Sequence, residues 1–377
     1  MFFKDAISAD SHVLEPPHCY TDFIDPKFRD RAPHLEVDAK GRTVYVIEGL
    51  TTAVPVGTAD GAGLKPSVRR QHILKTTFED CKPSAWDPSY RLEDQKRDGI
   101  AAEIIYPSVG MFVCSLADID YKDACIDAYN RWLEGFCAGL PNRLFGLAMT
   151  SVHSVDAAIE DFRDARERGF VGMMLPSLPH YEDYDHPDYD ALWECATDLQ
   201  MPICFHILTG RGPGSVTAFF QKGRGGRMNS FMQIIRDVQD VIGTILLSGV
   251  FERHPNLKLV SAEADAGWMP HWQYRMDHIA FNEADDGIVD GLSKLPSEYL
   301  RSNVWTTFQD DWVAFQTKDL MNYKQLLWAN DFPHTDSTWP HSQELLAKHA
   351  AILSQDERKA ILRNNVRGVF NLPLPAA

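Results

Sequence analysis

The stretch AISADSHVLEPP, residues 6–17, starts as an apolar run, reaches Asp10-Ser11-His12, and stops at Pro16-Pro17. A short apolar run that ends in a polar, proline-bearing loop reads as a β-strand delivering side chains to the rim of a sheet. Residues two apart in a strand share a face, so Asp10 and His12 point the same way. Two metal-ligating residue types on one face of an otherwise apolar strand set the questions for the rest of the chain.

The same unit recurs. AEIIYP (102–107), Leu144–Met149, Val171–Leu175, Pro202–Ile207, LKLVSA (257–262), Val304–Phe308 and Leu326–Ala329 are all short apolar runs. Helical periodicity separates several of them. Residues 117–139 carry a stripe of Ile119, Cys125, Ala128, Trp132 and Phe136, and a second helix covers 188–199. Ser154 or Asp156 is placed to cap a helix running to Arg168 and closing at Gly169. With the first, these make eight candidate strands, near residues 8, 104, 147, 173, 204, 260, 306 and 328. Eight parallel strands alternating with helices close into a barrel, so the expected fold is α/β, a (β/α)8 TIM barrel.

Residues 34–57 break the rhythm, alternating with period two around Lys40-Gly41, and predict a β-hairpin inserted after the first strand. Gln355–Phe370 predicts a final amphipathic helix on the outside of the barrel. A single domain over residues 1–377 is expected. An open, doubly wound sheet is the competing arrangement, but no G-x-G-x-x-G follows a strand. Gly223-Arg224-Gly225-Gly226 is too short and too basic for that role and reads as a loop.

The chain has 377 residues, 37 basic and 53 acidic, for a formal net charge of −16. That balance argues against nucleic acid and anionic membrane surfaces, while a locally positive pocket for a small anion stays open. No apolar run is long enough for a membrane span, and the N-terminus turns polar too early for a signal peptide. The seven cysteines are dispersed without CxxC pairing, which suits a reducing compartment; the expected location is cytoplasmic.

Barrel enzymes carry their chemistry at the C-terminal ends of the strands. Those ends supply Asp10 and His12, then His206, then Glu263, then Asp331 with His334 close behind. Taken singly, His206 could be a rim residue, Asp331 a turn cap, and Glu263 the partner of an arginine. Jointly they are costly inside a barrel mouth unless paired or bound to metal. Asp10, His12, His206, Glu263 and Asp331 are therefore the candidate ligands of a divalent ion; mixed imidazole and carboxylate donors suit zinc, manganese or iron.

Five stretches carry a resemblance: ADSHVLEPP (9–17), AYNRWLEGFCAGLPNRLFGLAM (128–149), SGVFERHPNLKLVSAE (248–263), LLWANDFPH (326–334) and ILRNNVRGVFNL (361–372). In them the chain resembles the amidohydrolase-related family that includes aminocarboxymuconate semialdehyde decarboxylase and related hydrolases. The resemblance implies a distorted barrel, a divalent metal, and either hydrolysis or non-oxidative decarboxylation. It aligns His12 with the second histidine of the strand-one H-x-H pattern, His206 with the strand-five histidine, and Asp331 with the strand-eight aspartate. Asp10 replaces the first histidine, as a carboxylate often does in the decarboxylase branch. Glu263 stands where decarboxylases carry a histidine used in acid–base work. Strand four, Met173-Met174-Leu175-Pro176, offers no residue to bridge two metals; Glu263 could take that place, so one or two ions are open. Family members are commonly homodimers, and the inserted hairpin is a candidate for that interface.

The loss of histidine at Glu263 turns the expectation toward a metal-dependent hydrolase of a small carbonyl compound: an amide, lactone, ester, thioester or vinylogous diketone. Asp331 would act as base on a metal-activated water, with Glu263 and His206 assisting. The alternative is a non-oxidative decarboxylase of an aromatic or unsaturated acid, and a third reading is a barrel that binds small molecules without catalysis. Glu15 is a candidate for orienting His12 or touching substrate, or else for a salt bridge with a rim arginine. His180, with His186, could meet substrate or simply sit in a solvated loop. His334 is placed to face substrate or to support Asp331. Trp268 and Trp272 read as core, and His254 and His278 as surface. The loops 108–116, 176–187 and 208–227 are expected to select the substrate.

Overall fold

A computed structural model describes residues 1–210, 225–282 and 291–377. The strands are β1 (Ala6–His12), β2 (His34–Val37), β3 (Thr43–Val46), β4 (Val54–Pro55), β5 (Ile100–Tyr106), β6 (Leu144–Met149), β7 (Gly172–Leu175), β8 (Ile203–His206), β9 (Leu259–Ala262), β10 (Val304–Phe308) and β11 (Leu326–Trp328). Eight of them form one parallel sheet in the order β1-β5-β6-β7-β8-β9-β10-β11. A doubly wound sheet reverses its strand order partway; here every neighbour is the next barrel strand in the chain, which is how a barrel is wound. The eight runs read from sequence are these eight strands.

The barrel closes beyond its last strand. β11 has only three residues, and the seam to β1 is made by the chain just after it. The Asp331 amide donates to the Asp10 carbonyl at 3.0 Å, and the His12 amide donates to the Phe332 carbonyl at 2.7 Å. This closure is the distortion of the barrel, and it sets Asp10, His12 and Asp331 side by side.

β1 and β6 to β9 are buried along their whole length, as expected of parallel strands covered by helices outside and packed side chains inside. The helix Ile119–Ala138 begins at Asp118, whose carboxylate accepts from the Tyr121 amide, and buries Cys125, Ala128, Trp132 and Phe136. The helix Val155–Glu167 is capped by Ser154, whose hydroxyl accepts from the Ala157 amide.

The insertion is richer than a hairpin. β2 and β3 pair antiparallel around a turn in which Asp38 accepts from the Lys40 and Arg42 amides and Gly41 takes φ +76°. A third strand, β4, then pairs with β3. Its two residues are too few to show alternation. The expected final helix is likewise corrected: a π-helical turn at Ala360–Asn364 separates Gln355–Lys359 from Asn365–Val369. No helix among the described residues is long and apolar enough to cross a membrane. Gly223 and Arg224, and the part of the expected selecting loop from 211 to 224, lie outside the described residues, while Gly225 begins the helix Gly226–Leu247 at φ +78°.

Candidate active site

Five strand-end side chains meet at the barrel mouth. His12 Nε2 lies 3.3 Å from Asp10 Oδ1, 3.3 Å from Asp331 Oδ1 and 3.5 Å from Glu263 Oε2. His206 Nε2 lies 3.0 Å from Glu263 Oε2 and 3.6 Å from Asp10 Oδ1. Asp10, His12, His206 and Asp331 are buried, and only Glu263 reaches the cavity surface, at 13% exposure.

Local backbone explains the convergence. Asp10 and His12 project inward from β1 by the two-residue repeat. Glu263 and Asp331 follow strands that have already ended, and both take left-handed backbone, at φ +52° and +54°. That region is unfavourable for a residue with a Cβ, and strain of this kind gathers where function requires it. Thr307 braces two of the five: its hydroxyl donates to Asp10 Oδ2 at 3.1 Å and accepts from the Glu263 amide at 2.9 Å.

The imidazole tautomers follow from their partners. His12 Nδ1 is 2.9 Å from the Pro107 carbonyl, and His206 Nδ1 is 2.9 Å from the Ile207 carbonyl. A carbonyl only accepts, so each Nδ1 carries a hydrogen and each neutral ring turns a bare Nε2 to the cluster. Neither Nε2 has a hydrogen-bond partner, and neither do Asp10 Oδ1, Glu263 Oε2 or either oxygen of Asp331. Buried polar atoms are almost always paired. Their separations of 3.0–3.6 Å are those between neighbouring ligands of one ion with bonds of about 2.1 Å. The donor set therefore fits a divalent cation. Two overlapping groupings share His12 and Glu263: one adds Asp10 and His206, the other Asp331 and His334.

Charge is crowded here. Burial, then the carboxylates of Glu263 and Asp10, hold Asp331 well above the ordinary carboxylate range. Burial works against the ionised form of Asp10 as well, but His206 and His12 prevail and lower it. Burial would depress His206, yet Asp10 and Glu263 outweigh it and raise it to about 10. His334 is pushed well below its usual value by burial and by the neighbouring His12.

His334 belongs to the site. Its ring stacks on His12 with centroids 3.8 Å apart, its Nε2 lies 2.7 Å from Ser108 Oγ, and its Nδ1 lies 3.2 Å from Asp331 Oδ1. Ser108 spends its own hydrogen on the Val13 carbonyl, so it accepts from His334 Nε2. Nδ1 is then left as an acceptor facing Asp331, to which a protonated Asp331 would donate.

Other expectations fare differently. Glu15 is fully buried and does not line the cavity; its carboxylate accepts from the amides of Ser108, Val109 and Gly110 at 2.9–3.1 Å. It meets neither a rim arginine nor His12, and instead folds the loop that presents Ser108. His180 is exposed and away from the cavity wall, and His186 caps a short turn through the Asp188 amide. His254, expected at the surface, is half-buried against Asp190 at 3.1 Å. Trp268 and Trp272 stack edge to face against the core.

A cavity of about 410 Å³ opens onto Glu263 and His334. Its wall includes Ser108, Gln309 and Arg69, three residues that the strand-end pattern of ligand types does not single out. Gln309 had a signal, since it directly follows the apolar run of β10, as Glu263 follows that of β9. Arg69, on the helix Pro66–Lys75, had none.

The sequence profile of the amidohydrolase family matches residues 70–372. The chain belongs to the amidohydrolase family. Among curated relatives, the γ-resorcylate decarboxylase of Rhodococcus jostii (strain RHA1) is 25% identical over 263 residues, covering 64% of this chain and 75% of that protein. Among solved structures, an amidohydrolase of Mycobacterium avium subsp. paratuberculosis K-10 superposes with a TM-score of 0.78 at 20% identity, over 98% of this chain and 100% of the other. A 5-carboxyvanillate decarboxylase of Novosphingobium aromaticivorans DSM 12444, with bound manganese and a nitrobenzoic acid, superposes with a TM-score of 0.69 at 17% identity, over 98% and 97%. The chain is thus an amidohydrolase-superfamily enzyme, and the relatives named for a reaction are carboxy-lyases rather than the hydrolases that Glu263 led us to expect.

Proposed function

We propose that this enzyme is a metal-dependent carboxy-lyase that removes carbon dioxide, without oxidation, from an aromatic or unsaturated carboxylic acid. The observation that carries the reading is the facing of Asp331 and His334 beside a donor set that fits a cation. A hydrolase needs Asp331 as a base to take a proton from water. Here the acceptor atom of His334 is aimed at Asp331, which favours Asp331 as the proton donor. The decarboxylases among the relatives support the same choice.

Asp10, His12, His206 and Asp331 would hold the ion, with Glu263 as a further donor; manganese is the first candidate, by likeness to the Novosphingobium enzyme. When bound, a divalent ion supplies positive charge that offsets the carboxylates and attracts the anionic oxygens of the substrate. The residues then do the following. The Pro107 and Ile207 carbonyls hold His12 and His206 in the ligating tautomer. Thr307 keeps Asp10 in place. Asp331 gives its proton to the carbon bearing the carboxylate, the carbon–carbon bond breaks, and its electron pair stays with the ring as carbon dioxide leaves. Asp331 is reprotonated by way of His334, so the reaction consumes one proton.

Glu263 is the observation that favours hydrolysis as a second reading, since it lacks the acid–base chemistry of the histidine it replaces. Manganese-loaded enzyme offered hydroxybenzoates, with 2,6-dihydroxybenzoate first, is expected to release carbon dioxide. Turnover of esters or lactones with no carbon dioxide from any acid would overturn the carboxy-lyase in favour of the hydrolase.

A further inference from the structure

The polar part of the cavity lining comes from the strand ends and their loops, which also supply the apolar Leu14, Val109, Met111, Phe112, Ile207 and Leu208. Ser108, Glu263, Asp265, Gln309, His334 and Asp336 come from the strand ends and the loops that follow them. The inserted sheet, the helix Pro66–Lys75 and the helix Gly226–Leu247 contribute Tyr45, Val54, Val56, Ile73, Ile234 and Ile235. Thr58 and Arg69 are the polar exceptions on the insertion side. Together with the apolar loop residues, these segments far apart in the chain build an apolar wall beside the polar groups. A cavity of about 410 Å³ falls within the roughly 300–1,000 Å³ that encloses drug-sized ligands, more than a single-ring acid needs.

A second observation orients the ligand. Gln309 is buried, lines the cavity, and has a side-chain nitrogen without a hydrogen-bond partner. Such a donor is costly while unmet, and rotation of the amide toward the cavity would bring it to a ligand oxygen. It sits on the strand-end side, so the oxygen-bearing head belongs there and the apolar wall is left for the remainder of the molecule.

The remainder is not a second acid. Arg69 is the single cationic side chain among the described residues of the wall, and its Nε already donates to the Leu64 carbonyl at 3.2 Å. Beside it stand Glu263, Asp265 and Asp336, none of which would pair with a further anion.

We propose that the substrate carries an extended apolar arm opposite its acid head, that the inserted sheet and the helix Pro66–Lys75 hold this arm, and that Gln309 donates a hydrogen bond to an oxygen of the head. The inference rests on the carboxylic-acid substrate proposed above and deepens it. It also gives the insertion a role in binding, because without β2 to β4 and the helix behind them the strand ends would lose one side of the apolar wall.

Calorimetric binding of salicylate and its 4-methyl, 4-propyl and 4-hexyl homologues to the full-length, manganese-loaded enzyme tests the proposal. Affinity is expected to rise about fourfold per added methylene, the equivalent of about 0.8 kcal/mol for each buried CH₂. Ile73 is half-buried on a helix with no buried residues, so Ile73→Glu leaves the core alone. That variant is expected to flatten the rise, with its own affinity for salicylate, which has no arm, as the baseline. Gln309→Leu is expected to weaken all four ligands about tenfold, by an equal factor. An affinity independent of chain length, or a rise that survives Ile73→Glu, overturns the apolar arm; an unchanged Gln309→Leu overturns the hydrogen bond. Carbon dioxide release, measured separately on the same ligands, keeps the outcomes apart. A rising series without carbon dioxide overturns the carboxy-lyase and supports the arm, whereas a flat series with carbon dioxide overturns the arm alone.

Discussion

Two clusters of buried charge sit within this barrel, and they differ in how completely they are satisfied. Arg91, in the helix Pro88–Asp98, meets Glu103 of β5 through Nε at 2.8 Å and Nη2 at 3.0 Å. Gln95 adds a bond to Glu103 at 2.7 Å, and Arg91 Nη1 donates to the Ser84 carbonyl at 3.1 Å. All three guanidinium nitrogens of Arg91 have partners. At the barrel mouth, by contrast, six oxygen and nitrogen atoms of Asp10, His12, His206, Glu263 and Asp331 face one another with no hydrogen-bond partner. A satisfied ion pair is complete as architecture, whereas an unsatisfied cluster of carboxylates and imidazoles is complete only with a ligand. Burial and charge alone do not separate structural from catalytic groups; here a convergence of unpartnered ligand atoms does.

The largest expected effect breaks the two apart. Asp331→Asn is expected to lower kcat for carbon dioxide release by about 10³-fold, in the range of lost general-acid catalysis, while the protein keeps its metal and its Tm. Elemental analysis and a melting curve on the same sample check both halves; a variant that still turns over within tenfold of the parent would remove Asp331 from the chemistry.

Arg91→Ala makes the opposite prediction. Leaving Glu103 buried without its partner is expected to cost about 3–5 kcal/mol of stability, read from urea unfolding. The surviving folded fraction should keep its kcat. A loss of kcat at unchanged stability would show that the ion pair serves the site through Phe332, whose carbonyl Arg91 also touches at 3.3 Å.

Removing metal by chelation should shift the mouth and leave the ion pair alone. At a free ion concentration of about 100 times Kd, bound metal contributes about 2.7 kcal/mol, so dialysis against a chelator is expected to lower Tm by a few degrees. Metal binding needs the protons off the ligands, so its affinity is expected to fall as pH falls. A Tm indifferent to chelator and to added manganese would argue that the five donors are paired in some other way.

The smallest effect tests a third group of acids, on the outer helices. Burial pushes Asp161 to about 6, with Asp127 and Asp123 adding to the shift and the Thr150 hydroxyl opposing it. An acid whose pKa is raised on folding favours the folded state most when protonated. Its contribution is full below the unfolded value near 4 and is lost as pH rises through about 6. Discounted for solvent screening, the change is about 1 kcal/mol, and Asp161→Asn is expected to flatten the decline of Tm between about pH 4 and pH 6. A decline that persists in the variant assigns it to other groups.

Much of the site was legible because its residues obey a simple rule: a polar ligand type at or immediately after the end of an apolar strand. Asp10, His12 and His206 follow it from within strands, and the structure brings them together. Gln309 has the same position after β10, but an amide is not a metal ligand, so residue type gave it no mark. Glu15 misled for the opposite reason. Its position after β1 suggested a role at the mouth, but its carboxylate is consumed by the Ser108, Val109 and Gly110 amides. The support of Asp331 by His334 was one of two readings of the sequence, but the direction of that contact was hidden, because it depends on which tautomer Ser108 imposes.

The amino-acid sequence by itself determined the barrel, the eight strands and the residue types at their ends, because apolar periodicity and strand-end position are local properties of the chain. Only the tertiary structure decided that Asp331 and Glu263 take left-handed backbone and turn into the cluster. It alone showed that the seam after β11 locks Asp331 against Asp10, and that a three-stranded insertion shares a cavity with the strand ends. Those features depend on segments that are distant in sequence, such as residues 10 and 331, which hydrogen-bond, or 54 and 309, which line one cavity, and no local pattern carries that information.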